Sequence, residues 1–267
     1  MTPTALITGA SQGSGRATAL LFASKGYDVA IAARQPERLE AIADEIRALG
    51  RRAIAIPTDV GDPQQVEALI SDALTTYAHI DVLVNNAGIC LTGSMEKTTL
   101  QDWQQIMATN FWGYVYTIQA LLPHLLAQGH GHIVNVGSFG GKMPLPNMTA
   151  YCASKYAVTG LTETLQLELA PQGIQVCAVH PGVIKSSFLE RALFRGQTQQ
   201  DSQQLRQQMS TLLESSWVSS PDDIAKAVWE AIEQKRSEVV VGPVAIATEA
   251  YRLFPRLIQW TLGRAIA

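Results

Sequence analysis

The strongest constraint on the fold of this chain is a rhythm. Short, nearly all-apolar runs alternate with longer stretches whose apolar residues recur at helical spacing. The strand-like runs fall at 5–8, 28–33, 52–58, 80–85, 132–136, 174–179 and 238–241. Between them, Leu39, Ile42, Ile46 and Leu49 make one helical face, and Val66, Leu69, Ile70, Ala73 and Leu74 make another. Strands that are apolar throughout must be covered on both faces, and strands separated by helices run parallel. The pattern predicts the α/β class. No Pro/Gly/Ser-rich linker divides the 267 residues, so one domain is expected over 1–267. The rhythm breaks in a Gln-rich segment, 187–218, which reads either as a substrate-specificity loop or as a surface helical hairpin. An amphipathic extension is expected over about 245–267.

Bulk properties exclude several classes of function. A net charge of −3 gives no whole-molecule attraction for nucleic acid. The N-terminus passes directly into Ala5-Leu6-Ile7 without a basic segment and a long apolar run, which argues against a secretory signal. No run reaches the roughly 18 apolar residues of a membrane span. Cys90, Cys152 and Cys177 lack CxxC spacing and read as reduced thiols of a cytoplasmic protein. Cys152, beside Tyr151, is either a packing residue or a reactive thiol.

The first strand runs into Thr8-Gly9-Ala10-Ser11-Gln12-Gly13-Ser14-Gly15 and then a helix. Glycines there let the backbone approach a pyrophosphate, and the helix N-terminus supplies free N–H groups and partial positive charge. The spacing is GxxxGxG rather than GxGxxG, and its position after strand one points to a dinucleotide. An acid about 20 residues further on would bind the ribose hydroxyls of NAD(H). This chain instead reads Ala32-Ala33-Arg34, with no acid until Glu37. A guanidinium grips a 2′-phosphate that a carboxylate would repel, so Arg34 favours NADP(H), with Arg38 or Arg16 as helpers. The alternative is that Arg34 stacks on the adenine.

Tyr151 and Lys155 stand four apart at the start of a helical stretch, which puts phenol and ammonium on one face. A free tyrosine titrates near 10, so about a thousandth is phenolate at pH 7. Lowering that to about 7 takes roughly 4 kcal/mol. One cation about 4 Å away supplies that order of energy at an effective dielectric of about 20. The pair can therefore exchange a proton with a substrate. Ser138 ends a strand, at the sheet edge where open α/β folds bind ligands, and Asn85-Asn86-Ala87-Gly88 ends another. Asn110 is a poor helix former inside a helical stretch, which calls for a hydrogen-bonding reason.

Over about residues 4–242 the chain resembles the compact branch of the short-chain dehydrogenase/reductase family. The matching motifs, in order, are TGxxxGxG at Thr8 to Gly15, Asp59-Val60, NNAG at Asn85 to Gly88, Asn110, Ser138, YxxxK at Tyr151 and Lys155, and Pro181-Gly182. The resemblance implies a doubly wound, Rossmann-type three-layer sandwich with a seven-stranded parallel sheet of order 3-2-1-4-5-6-7. It implies that Tyr151 transfers the proton, Ser138 orients the carbonyl, Lys155 lowers the tyrosine pKa and holds the nicotinamide ribose, and Asn110 supports a water relaying protons to Lys155. It also implies cofactor contacts from Gly9, Ser11, Gln12, Gly13, Ser14, Gly15, Asp59, Val60, Asn86, Ala87, Gly88, Tyr151, Lys155, Pro181, Gly182, Ile184 and Ser186. The family often has Ile where this chain has Ser14, and Thr where it has Ser186; little effect is expected of either change.

The reaction class so implied is hydride transfer between NADP(H) and a carbonyl/alcohol pair, in an assembly of two or four copies. Leu91, Met143, Leu145, Phe188, Leu189 and Leu193 are candidate walls for a hydrophobic ketone or aldehyde, or else core residues. No histidine cluster forms a metal motif; His180 reads as a strand-end residue beside the site. The rival readings are a catalytically idle NADP(H)-binding regulator and a non-redox relative such as an epimerase or dehydratase. From Tyr251 to Ala267 the chain has three arginines (Arg252, Arg256 and Arg264), no acid, and the large apolar residues Leu253, Phe254, Leu257, Ile258, Trp260 and Leu262 among others. Such a segment either packs over the cleft or on a second subunit, or lies on a membrane surface.

Overall fold

A computed structural model describes residues 1–184, 192–196, 198–213 and 218–264, without the side chains of 205, 208, 209, 212 and 213. Strands β1 (Thr4–Thr8), β2 (Asp28–Ala33), β3 (Ala53–Pro57), β4 (Val82–Asn85), β6 (Gly131–Val136), β7 (Ile174–Pro181) and β9 (Glu238–Val241) form a seven-stranded sheet. Its order is β3-β2-β1-β4-β6-β7-β9, and every pairing is parallel. Counting those seven strands alone gives the expected order 3-2-1-4-5-6-7. The chain reverses direction of travel across the sheet after β3, so a crevice opens between the C-terminal ends of β1 and β4.

Helices α1 (Gly13–Ser24), α2 (Pro36–Ala48), α3 (Pro63–Tyr77), α4 (Leu100–Met107), α5 (Gly113–Gln128) and α6 (Thr149–Leu169) separate the strands up to β7. Each β-strand sends alternate side chains to opposite faces, and the core accordingly splits in two. On one face Ala5, Ile7, Val29 and Ile31 pack with Phe22, Leu39, Ile42 and Ile46, and with Ile224 and Val228 of α8 (Pro221–Glu233). On the other, Leu6, Ala30, Leu83 and Ile133 pack with Leu69, Ile70, Leu121 and Leu125. Leu39, Ile42 and Ile46, and Leu69, Ile70 and Ala73, are residues of the two faces read from spacing, whereas Leu49, at the end of α2, is exposed. Burying one such Leu or Ile side chain stabilises by about 1.5–3 kcal/mol.

Two short strands lie outside the main sheet. β5 (Leu91–Gly93) and β8 (Leu193–Arg195) pair parallel, although a hundred residues of sequence lie between them. β8 opens the described part of the Gln-rich segment, which continues in α7 (Gln199–Leu213). Arg195 grips Asp102 at the start of α4 through two nitrogens, at 2.7 and 3.0 Å. Thr99 also donates to Asp102, and the carboxyl is held down at about 2, first by Arg195. That ion pair ties the segment to the body of the protein. The last helices are α9 (Val244–Leu253) and α10 (Pro255–Arg264).

Candidate active site

The glycine turn is built by close approach. Gly9 has φ +67°, and a Cβ there would stand 2.7 Å from the Cα of Ala87. A Cβ on Gly15 would stand 2.3 Å from the carbonyl oxygen of Gly9. Both neighbours are backbone, which cannot step aside. Gly15→Ala is therefore expected to cost about 1–3 kcal/mol of stability and to weaken cofactor binding at least tenfold. Thermal melts with and without dinucleotide measure both; an unchanged melt and unchanged binding would show that the turn has slack.

No side chain caps α1 at Gln12, so its first-turn N–H groups remain available to an anion. Asn86 stitches the ends of β1 and β4 together. Its Nδ2 donates to the carbonyls of Thr8 (3.1 Å) and Gly9 (3.3 Å), and its Oδ1 accepts from Ser14 Oγ at 2.7 Å. The hydroxyl of Ser14 thus makes a bond that an Ile there could not. Ser14 and Asn86 shape the turn, through one bond to each other and through the bonds of Asn86 to its backbone.

A cleft of about 260 Å³ opens here, lined by Gly9, Ser11, Ala33, Arg34, Gln35, Thr58, Val60, Ala87, Gly88, Ile89 and Thr109. Arg34 sits exposed at its rim, just past β2. Of the two helpers, Arg38 hydrogen-bonds Gln12 beside the turn, whereas Arg16 is ion-paired to Glu45 of α2. Asp59 accepts from the N–H of Gly61 at 3.0 Å, closing the turn that brings Val60 to the cleft.

Tyr151, Lys155 and Ser138 converge at the C-terminal end of β6. All three are buried. Lys155 Nζ donates to the carbonyl of Val136 at 3.0 Å and lies 5.3 Å from the ring centre of Tyr114. The Ser138 hydroxyl accepts from the N–H of Gly140 at 3.1 Å. Burial pushes the Tyr151 phenol well above its ordinary value, with Ser138 pulling the other way. Burial moves Lys155 in the opposite direction, down to about 8. Each group is thus driven toward its neutral form, which is how a dry site treats an acid and a base.

Asn110 lies in a π-helical turn, Ala108–Trp112, between α4 and α5. Such turns interrupt helices at functional sites. Its Oδ1 accepts from the N–H of Ile89 at 2.8 Å, and its Nδ2 donates to the Ile89 carbonyl (2.9 Å) and to Ser154 Oγ (3.1 Å). Both amide atoms clamp the strand end that carries Gly88, where an added Cβ would lie 3.7 Å from Lys155 Nζ. At the other side, Pro181 closes β7 and a Cβ on Gly182 would meet Val244 at 2.8 Å. Ile184 forms a bridge with Ser219. Ser186 lies outside the described residues, as do Phe188 and Leu189.

Spacing alone did not reveal His180 as a buried support behind Ser138. Its Nδ1 lies 3.2 Å from the Ser138 carbonyl, and its Nε2 lies 3.0 Å from Glu238, which also meets Lys142 Nζ at 2.6 Å. His180 and Glu238 are diagonal neighbours across β7 and β9, a relation that only the register creates. Gly137 makes room for the ring, since a Cβ there would stand 2.5 Å from His180 Nδ1. Leu91 is core rather than wall, packed with Ile89, Ile106 and Ala150. Cys152 is buried and its thiol is pushed up by that burial, which suits packing rather than reactivity. Among the described residues no group of His, Cys, Asp and Glu is arranged to hold a metal ion.

The short chain dehydrogenase family profile matches residues 3–197. The chain belongs to that family. It is 38% identical over 229 residues to the 3-oxoacyl-(acyl-carrier-protein) reductase FabG of Staphylococcus aureus (strain Mu50), covering 85% of this chain and 89% of that one. A short-chain dehydrogenase/reductase from Burkholderia phymatum in complex with NAD superposes with a TM-score of 0.88 at 28% identity, covering 96% of this chain and 95% of that one. An alcohol dehydrogenase from Thermococcus sibiricus complexed with 5-hydroxy-NADP gives 0.77 at 26%, covering 91% and 97%. Family membership makes the chain an oxidoreductase of the dehydrogenase/reductase kind, and relatives of this fold carry either dinucleotide.

Proposed function

We propose that this short-chain dehydrogenase uses NADP(H) to interconvert a carbonyl and an alcohol, acting as a reductase on a hydrophobic ketone or aldehyde. The observation that carries the reading is the buried Ser138–Tyr151–Lys155 group at the sheet edge. It stands beside a cleft that an arginine, and no acid, guards at the end of β2. The fit to a dinucleotide rests on the uncapped start of α1 and on glycines whose replacement would close the turn. Bound there, the nicotinamide supplies or accepts the hydride. Tyr151, kept protonated by burial, donates its proton to the carbonyl oxygen as charge develops there. Ser138 holds that oxygen by a second hydrogen bond. Lys155 offsets the phenolate left behind, and Asn110 supports the water that returns a proton to Lys155. The protein works as two or four copies in the cytoplasm.

Similarity to a 3-oxoacyl reductase places a 3-oxoacyl thioester beside ketones, aldehydes and diketones in a test panel. Loss of NADPH absorbance with an apolar carbonyl is expected. Turnover confined to polar sugars would overturn the substrate class, and tight NADPH binding without turnover of any carbonyl would favour an idle regulator.

The lysine sets a pH dependence. Below about 8 Lys155 is charged, and above it the charge is lost, because burial has lowered its pKa from the usual value near 10.5. The kcat for reduction should therefore fall on the alkaline side, about tenfold per pH unit once past the midpoint. A flat profile from pH 7 to 9.5 would separate catalysis from the Lys155 charge.

A further inference from the structure

We infer that α9 and α10 form a docking surface for an anionic lipid bilayer. Among the described residues, large apolar side chains concentrate on the exterior here. Ile246, Leu253, Phe254, Leu257 and Trp260 are each more than half exposed within fifteen residues. No residue of α10 is buried, and in α9 only Thr248 is. By contrast, α8 buries six residues against the sheet. The terminal helix therefore does not fold over the cleft, which removes one of the two simpler roles for an amphipathic tail.

The charge around these residues selects among occupants. From Ala250 onward the chain has Arg252, Arg256 and Arg264 and no acid, although the whole chain carries −3. Glu249 takes up Arg252 in an exposed ion pair at 3.0 Å. The guanidinium of Arg264 stacks over Trp260 at 4.0 Å from the ring centre, which holds a positive charge directly beside the apolar surface. A two-fold contact would meet Arg256 and Arg264 only with groups of this same face, and the one acid of α9 and α10, Glu249, is already paired to Arg252. Anionic lipid supplies what a second copy lacks. Its acyl region takes Trp260, Leu257 and Phe254, and its headgroups take the arginines. No helix among the described residues is long and apolar enough to cross a membrane, so the contact is peripheral. Such docking would bring the cleft to carbonyl substrates that partition into lipid.

The full chain should co-sediment with vesicles of equal parts phosphatidylglycerol and phosphatidylcholine and not with phosphatidylcholine alone. Each arginine near an anionic surface multiplies binding by about fivefold, so the Arg256→Gln/Arg264→Gln variant should bind about thirtyfold more weakly. The Leu257→Ser/Trp260→Ser variant should lose about tenfold or more through its lost apolar area. Raising salt to about 0.5 M should release the parent protein through screening. Circular dichroism and sedimentation velocity of both variants should match the parent. Equal binding to neutral and anionic vesicles would overturn the proposal, as would no binding to either. An assembly that falls apart in either variant would assign the face to a second copy instead.

Discussion

Tyr151→Phe lowers kcat for carbonyl reduction by about 10²–10⁴ and leaves cofactor affinity within about twofold. The size is that of losing a positioned proton donor. The selectivity follows from geometry. Tyr151 is buried, and its ring lies where a Cβ on Gly140 would come within 3.3 Å of Cε1. Phe keeps that ring, so packing and the path of α6 survive; only the hydroxyl goes. The helix also keeps Lys155, whose Nζ is held by the Val136 carbonyl independently of the phenol. Loss of rate with retained binding is then a statement about proton transfer alone. Rapid mixing of the variant with bound NADPH and an excess of ketone makes the measurement. Single-turnover reduction at the parent rate would place the acid elsewhere. Ser138→Ala serves as the graded control, because it removes a hydrogen bond to the substrate and leaves the acid in place.

What could be read in advance was whatever repeats locally. The seven main strands and their helices announce themselves by period, and the ends shift by only a few residues: 52–58 became Ala53–Pro57, and 80–85 became Val82–Asn85. Asn110 also signalled itself, as an amide with no business in a helix unless bonded. Its π-turn and its clamp on Ile89 supply the reason. What stayed hidden depends on residues that meet only after folding. β5 and β8 are three residues each, too short for any alternation to show, and they pair where Leu193 packs on the cluster around Leu91 and Arg195 reaches Asp102. The contact of His180 with the Ser138 carbonyl is a matter of strand register. So is the buried chain running from Thr117 through Asn85 and Asn135 to Thr162, at 2.7–3.0 Å per link. Buried polar groups of this kind must be fully paired to be tolerated, and pairing is a property of three-dimensional neighbours. The terminal arginines were visible as composition; only the exposure of α10 shows that this helix does not cover the cleft.

Arg34 carries the second large effect. Arg34→Ala should raise the KM for NADPH about tenfold to a hundredfold and leave that for NADH nearly unchanged. The 2′-phosphate brings about two negative charges, and hydrogen bonds to a charged group contribute about 1.5–3 kcal/mol. The upper part of that range requires a dry contact, and Arg34 is exposed, so solvent screening pulls the value toward the lower end. For the same reason the effect should shrink as salt rises toward about 0.5 M. Arg16 offers little substitute, since Glu45 holds it on α2; Arg38, joined to Gln12 beside the glycine turn, is the cation placed to retain part of the affinity. Arg34→Asp goes further than removal. A carboxylate there repels the phosphate and accepts from the ribose hydroxyls of NADH, so the preference should reverse rather than merely vanish. Stacking of Arg34 on the adenine predicts the opposite pattern, an equal loss for both dinucleotides, because the adenine is common to them. Steady-state rates for the parent and both variants with each dinucleotide therefore distinguish phosphate recognition from stacking. A parent enzyme that prefers NADH, with the preference intact in Arg34→Ala, would remove NADP(H) from the proposed reaction.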